Sequence, residues 1–445
     1  MMSAVLTLAL LQRPSPDTAA GRPCQVAIDT VGHYGRQVEV RPGETNLFAG
    51  GGVRAHCQGT TSTLAADSVA WYAGVGRFDM LGGVHIRDTA ITLDAITASY
   101  YLRQERLEAH KNVVAVNRTS GSVLRGPNLT YYRAARGVRD TAEMYATSRP
   151  TIDYRAAPDS GEPYVIVADR VRLKGNDRVW GGGRVTIDRS DLAAQGDSLM
   201  LDETAGVGAL VGKPQVQGKG ARSYRLVGRR IEFGLRAHEV RLIKALGAGE
   251  ASSADWRLTA DTIHLVVDRR KLQQVLAWGR GEGGGDSSRP HAVSSLHTLQ
   301  ADSLALDVPE EVLTEARAFR QALSTSKRDS TPGAERDWIA GDTITAHWHQ
   351  RADSGAKPQL ERLLARGKAR AFTHLRDEHD STTRAPSLNY TRGSVIDVAM
   401  KGDRIDRVHA VGPADGLHLE PLPPAPRDTT KSRTDTTAKT LKRRP

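Results

Sequence analysis

Along most of the chain, apolar and polar residues alternate with a period of two. One parity is apolar at Val69 and Trp71, at Ile96, Ala98 and Tyr100, at Val171 and Leu173, and at Leu199 and Leu201. It continues at Ile263, Leu265 and Val267, at Leu304, Leu306 and Val308, and at Ile344, Ala346 and Trp348. The other parity carries Ser68, Arg170, Arg172, Thr262, His264 and Thr343. Such alternation puts every second side chain on one face of a half-buried strand. The pattern predicts an all-β chain with one buried face and one solvated face.

The strands come in repeats. A phrase of small residue, Asp, Ser or Thr, and aliphatic opens them at Ala66-Asp67-Ser68-Val69, Leu93-Asp94-Ala95-Ile96, Ala168-Asp169-Arg170-Val171 and Gly196-Asp197-Ser198-Leu199. It returns at Ala260-Asp261-Thr262-Ile263, Ala301-Asp302-Ser303-Leu304 and Gly341-Asp342-Thr343-Ile344. Degenerate copies stand at Gly126-Pro127-Asn128-Leu129, Gly228-Arg229-Arg230-Ile231 and Ala385-Pro386-Ser387-Leu388, for a mean spacing of about 35 residues. A second phrase, aliphatic and ending in Gly, follows each first one, as in Met80-Leu81-Gly82-Gly83-Val84, Val179-Trp180-Gly181-Gly182-Gly183, Val240 to Gly247 and Leu360 to Gly367. The repeated Asp is expected to bond backbone N–H groups at the turn entering each strand. Carboxylates that recur down the chain argue against catalysis, which needs one special site.

Ten units, each adding one strand per sheet, would span on the order of 45–50 Å at ~4.8 Å per strand. The array divides into halves over 21–220 and 221–420. It is interrupted over 309–337, where Val312, Ala316, Phe319 and Leu323 are spaced like a short amphipathic helix and Ser324 to Glu335 reads as a polar loop. Pro421, Pro423, Pro424 and Pro426 end the array, and a basic tail over 421–445 reads as disordered. At the other end, Ala4 to Leu11 is small or apolar apart from Thr7, and Ala19-Ala20 precede Gly21. This predicts a secretory signal over 1–20 that lacks a basic n-region; a disordered leader is the alternative. No stretch approaches the ~20 apolar residues of a membrane helix, so a soluble or peripheral mature chain is expected.

Composition fits this picture. Aromatics make up 5% of the chain against 43 glycines, a balance that suits tight turns and solvated strands. The net charge of +11 favours anionic partners such as nucleic acid, anionic lipid or a phosphorylated glycolipid. Cys24 and Cys57 either form one disulfide, as in an exported protein, or stand as unrelated thiols. Two cysteines alone make no zinc site.

Other chemistry finds little support. Gly279-Arg280-Gly281-Glu282-Gly283-Gly284 matches the dinucleotide fingerprint but continues as loop through Ser287-Ser288-Arg289-Pro290. Gly212-Lys213 lacks the spacing of a phosphate-binding loop. His347 and His349, with His374 and His379 downstream, form no fixed ligand phrase. There is no nucleophile elbow, neither cysteine sits in a nucleophile motif, and the even spread of Asp argues against a glycan-processing enzyme. No catalytic residue, cofactor or metal is expected.

The phrases Ala66-Asp67-Ser68-Val69-Ala70-Trp71-Tyr72 and Leu81-Gly82-Gly83-Val84-His85-Ile86 resemble OstA-type repeats. These are the repeats of the periplasmic lipopolysaccharide-transport bridge LptA and of the N-terminal domain of the translocon LptD. The resemblance covers about 45–415 and is clearest over 60–220. It implies an elongated, twisted β-jellyroll, V-shaped in section, whose apolar interior holds lipid A acyl chains. It also implies a periplasmic location, with the inner or outer membrane as neighbours, and edge-to-edge pairing with other such modules or with itself. Nucleic acid is not an expected partner. The chain departs from the family in being about twice the length of the bridge, and in lacking both the translocon's barrel and the membrane helix of the inner-membrane component.

On this reading the lipid-binding interior comprises Val69, Trp71, Ile96, Tyr100, Val171, Leu173, Leu199, Leu201, Ile263, Leu265, Leu304, Leu306, Ile344 and Trp348. Each buried CH₂ is worth ~0.8 kcal/mol, so a twelve-carbon chain needs roughly 10 kcal/mol of replacement environment in transit. Aliphatic contacts supply it without direction, so a lipid can slide. Rim arginines such as Arg170, Arg172, Arg229 and Arg230 either meet lipid phosphates or are solvated strand faces. The alternative function is a structural or adhesive β-solenoid with a closed core and no lipid.

Overall fold

The computed structural model describes residues 24–220, 222–279, 289–326, 336–349, 358–375, 386–402 and 404–420. Over these residues the chain is all-β. Thirty strands pair antiparallel into one connected system, and among the described residues the helical pieces are two short 3₁₀ turns. The expected signal segment over 1–20 and the basic tail over 421–445 lie outside the described residues, as do 280–288 and 327–335.

Many strands are bent in the middle and pair on both sides of the bend. In Thr63–Tyr72, residues 63 to 65 pair with the far part of Arg77–Arg87, residues 68 to 72 pair with its near part, and the register shifts between them. The next pairings, with Ile91–Tyr101 and Arg106–Asn117, shift in the same way. The halves therefore build two ladders. One starts at Tyr34–Arg41 and ends at Arg404–Val411; the other starts at Val26–Val31 and ends at Asp415–Leu419. Where the bend is sharp the strand splits, as between Tyr164–Val167 and Arg170–Lys174, whose two pieces both pair with Arg178–Asp188. The ladders run past residue 220 without a break, because Gln215–Gly218 pairs with Arg225–Val227.

Each repeat is thus a hairpin of two bent strands and adds two rungs to each ladder, where one was expected. About twenty rungs at ~4.8 Å make a system on the order of 100 Å long, twice the sequence-based figure.

The bend has a recurrent chemistry. Consecutive left-handed residues occur at Gly82-Gly83, Lys111-Asn112, Ser148-Arg149, Gly183-Arg184, Gly212-Lys213, Arg320-Gln321 and Gly367-Lys368, on alternate rungs. Such pairs are bulges that turn the strand. The Asp of the neighbouring strand packs directly on the first of these residues: Asp67 on Gly82, Asp169 on Gly183, Asp197 on Gly212 and Asp342 on Gly367. A Cβ at Gly82 or Gly367 would overlap that carboxylate as well as strain a backbone at φ 75° or 74°. The two sequence phrases are therefore two halves of one device, and the Asp lies mid-strand at the bend instead of at a turn entering the strand.

Two repeat assignments change accordingly. Ser68 and Thr97 both pair with Leu81, so the counterpart of Asp67 is Ile96, and Asp94 lies further out, opposite His85. Ile96 is 41% exposed and does not face the interior. In the last repeat the counterpart is Ser394, packed on Gly412, not the phrase at 385–388.

One face of each ladder is buried, and the two faces share a single hydrophobic cluster. Val69, Tyr100, Val171, Leu199, Ile263, Leu265, Leu304, Leu306 and Ile344 are buried in it; Trp71, Leu173, Leu201 and Trp348 pack on it half-buried. The helix expected in 309–337 is absent from the described part. Pro309–Glu311 is a 3₁₀ turn and Glu315–Ser326 is a strand. The spacing of Ala316, Phe319 and Leu323 looks helical because it takes residues from both faces of this strand, which bulges between Phe319 and Ala322. The buried side chains are Ala316, Ala318, Ala322 and Ser324, while Phe319 and Leu323 are exposed.

Cys24 and Cys57 form a disulfide across 33 residues, tying the chain before Val26–Val31 to the end of Glu44–Cys57. Closing a loop of this size is worth about 3–4 kcal/mol in the chain-entropy account.

Candidate functional site: the apolar interior and its mouth

The interior is closed along the bends by the strands themselves. Its other margin is a mouth, where the turns of one ladder face the turns of the other. Two apolar clefts open there. The larger encloses about 440 Å³, counting the solvent at its opening, and is lined by Trp256, Ala292 and Leu299 of one ladder and by Leu306, Leu313, Ala316, Trp348, Leu360 and Leu363 of the other. The smaller, about 390 Å³, is more polar. Asn117, Ser120, Ser122 and Tyr154 face Leu173, Asn176 and Arg178 across it.

Between and beside the clefts the mouth is pinned shut. Arg133, on a turn of one ladder, donates from Nε to Asp88 Oδ2 at 3.0 Å, on a turn of the other. Its Nη1 donates to Glu105 Oε2 at 3.1 Å. The Cys24 N–H donates to Glu105 Oε1 at 2.6 Å, and the Tyr100 hydroxyl to Glu105 Oε2 at 2.5 Å. The cluster is dry: the Glu105 side chain is 0% exposed. Burial foremost, with the Glu105 carboxylate beside it, pushes the Tyr100 phenol far above its usual range; burial and Asp88 do the same to Tyr131. Both stay protonated donors. Burial opposes the Arg133 charge, but the Asp88 and Glu105 carboxylates outweigh it and raise its pKa.

A second pin uses Glu311, which sits in a left-handed turn residue and is buried. Its carboxylate accepts from the Arg222 N–H at 3.1 Å across the mouth, and Arg222 in turn pairs with Asp255. A third is the Asn117–Asn176 hydrogen bond at 2.6 Å. Buried ion pairs such as Arg133 with Asp88 and Glu105 add little net stability over apolar packing, yet removing one partner is costly. They fix where the margins meet.

Of the residues singled out in the sequence, Leu306 and Trp348 line the larger cleft and Leu173 the smaller. Of the rest of the inward set, Trp71 and Leu201 pack half-buried on the core, Ile96 faces outward, and the others lie within the core. Trp256, Leu313, Leu360 and the pins Asp88, Glu105, Arg133 and Glu311 were missed. Arg133 carried a signal: it continues the inward parity of Leu129 and Tyr131, so it is a charge on an apolar face. Of the rim arginines, Arg172 pairs with Glu143 at 3.0 Å and stacks over Tyr145 and Trp180, and Arg230 pairs with Glu232 at 2.8 Å. His347 contacts Glu315 at 3.2 Å and His374 contacts Asp337 at 2.7 Å; His379 lies outside the described residues. Among the described residues there is no group of three metal-ligating side chains, and no helix long and apolar enough to cross a membrane. No protein-family model matches the chain, and no curated protein matches it in sequence.

Proposed function

We propose that the chain is a non-enzymatic lipid carrier of the lipopolysaccharide-transport type, a twisted jellyroll trough that shelters the acyl chains of a glycolipid such as lipid A. One observation carries the reading. Two bent-strand ladders turn a continuous apolar face toward each other, and that face reaches solvent at clefts along an otherwise pinned mouth. Such a surface takes hydrocarbon without directional demands and offers no localised chemistry. The end rungs add support. Val26–Val31 and Tyr34–Arg41 at one end, and Arg404–Val411 and Asp415–Leu419 at the other, each have a paired neighbour on one side only among the described residues. Open edges of this kind accept strands from another module or a second copy, which lengthens the trough. The disulfide suits an oxidising compartment such as the periplasm.

The tight packing of Ile263, Leu265 and Ile344 favours a second reading, a structural scaffold with a dry core. Glycolipid titration with a photocrosslinker at Trp348 or Leu360 separates the two. The carrier labels lipid from these positions and not from outward Arg170, and co-purifies with glycolipid from a membrane-bearing host. Lipid-free protein that labels from neither position is the scaffold.

A further inference from the structure

Toward the last rungs the second ladder reverses its polarity. On the strand Gln359–Leu375, Ala369 and Ala371 face the interior, so Phe372 faces out; on Trp338–His349, Ile339 faces in and Trp338 out. Register carries the outer row from Trp338 to Phe372, Tyr390 and Leu417, with Leu388 opposite Leu419 beside it. Inside, Ile339, Ala369 and Ala371 still belong to the core, whereas the last two rungs turn polar residues inward at Asn389, Thr391 and His418, with buried Thr373 opposite Asn389. Trp338 stacks near Phe372 at 6.4 Å and meets Tyr390 edge-on at 6.3 Å, while Leu417 and Leu419 are 57% and 50% exposed. Exposed Arg370 shares this outer face. Immediately beyond Leu419 the sequence holds four prolines over 421–426, then seven Lys or Arg against two Asp between 427 and 445.

We propose that this outer face of the C-terminal rungs docks on an anionic lipid bilayer. Trp and Tyr favour the interfacial region, where an apolar body and a polar tip are both satisfied. Leucines beside them enter the acyl boundary, and a polybasic segment adds about 1 kcal/mol per cation near a negative surface. The apolar row and the basic segment start from the same end of the molecule, which matches one negatively charged apolar-backed surface better than a protein partner. The inference does not require the interior to hold lipid, so it stands or falls separately from the carrier reading.

The test is co-sedimentation of the full chain with vesicles of equal parts phosphatidylglycerol and phosphatidylcholine, and with phosphatidylcholine alone. The expected result is binding to the anionic vesicles, weakened by salt and reduced at least about tenfold by Leu417→Asp with Leu419→Asp. Removing 421–445 lowers binding at low salt and leaves the leucine-dependent part. A polarity-sensitive fluorophore on Leu417→Cys shifts to the blue on these vesicles, whereas one on Val207→Cys, exposed far along the ladder, does not; this reading needs no destabilising charge in the strand. Binding indifferent to the leucine pair, binding that resides wholly in 421–445, an unresponsive fluorophore at 417, or a dimer that the leucine pair converts to monomer would each overturn the proposal.

Discussion

Arg133 is one cation between two buried carboxylates, and its removal would strand both. Arg133→Met is expected to cost about 3–5 kcal/mol in denaturant unfolding, with Arg133→Lys intermediate because it keeps the charge and loses the fork. A loss below about 1 kcal/mol would mean the pin is dispensable. Exposed pairs behave differently. Arg362 bonds Asp397 through both nitrogens and holds its carboxyl below the usual range. A depressed carboxylate stabilises the fold above its unfolded pKa and loses that contribution as pH falls through the folded one. The stability gap between wild type and Arg362→Leu, read at pH 7, should therefore close in acid, below about pH 3–4. A gap that is constant with pH would assign the effect to packing. At this scale the sequence was legible wherever parity alone decides orientation, as at Ile263 or Leu304. It misled at Ile96, because the bend resets parity at a residue that nothing in the local pattern marks.

At the scale of the strand, the bend is the organising event. Gly367 is left-handed and carries the Asp342 carboxylate on its open side. Gly367→Ala should destabilise by about 1–2 kcal/mol from backbone alone, and by more with the overlap. In an Asp342→Ala background the overlap vanishes and the backbone cost remains, so a double-mutant cycle should show a coupling of about 1 kcal/mol. Strict additivity would mean that the Asp does not clamp the bulge. Strands were readable here and bends were not. Both halves of the device were visible as the Asp and Gly phrases, but their meeting depends on register between neighbouring strands. Glu315–Ser326 looks helical for a different reason, since its spaced apolar residues come from both faces. Its core is alanine, which gives a faint signal, and its large apolar residues Phe319 and Leu323 point outward.

At the scale of the whole molecule, about twenty rungs in each ladder predict an elongated particle. In solution scattering the chain should show a maximum dimension on the order of 100 Å and a radius of gyration near 30 Å, against about 22 Å for a compact domain of this length. A compact value would break the ladders as described. The strand alternation was legible in the sequence, whereas the span was not, because each sequence unit corresponds to a pair of rungs. The mouth was illegible for a related reason. Asp88, Glu105 and Arg133 come from three separate turns, and only the stacking of ladders brings them together.

The pairwise unit constrains how such a molecule changes size. Adding or excising one whole hairpin leaves the direction of every following strand untouched, so both terminal edges present the same polarity as before. Reach is then quantised: the span grows or shrinks in increments of about 10 Å while its end couplings stay interchangeable. A chain built this way behaves as a ruler whose graduation is fixed by backbone hydrogen bonding and whose total is set by how many hairpins are encoded.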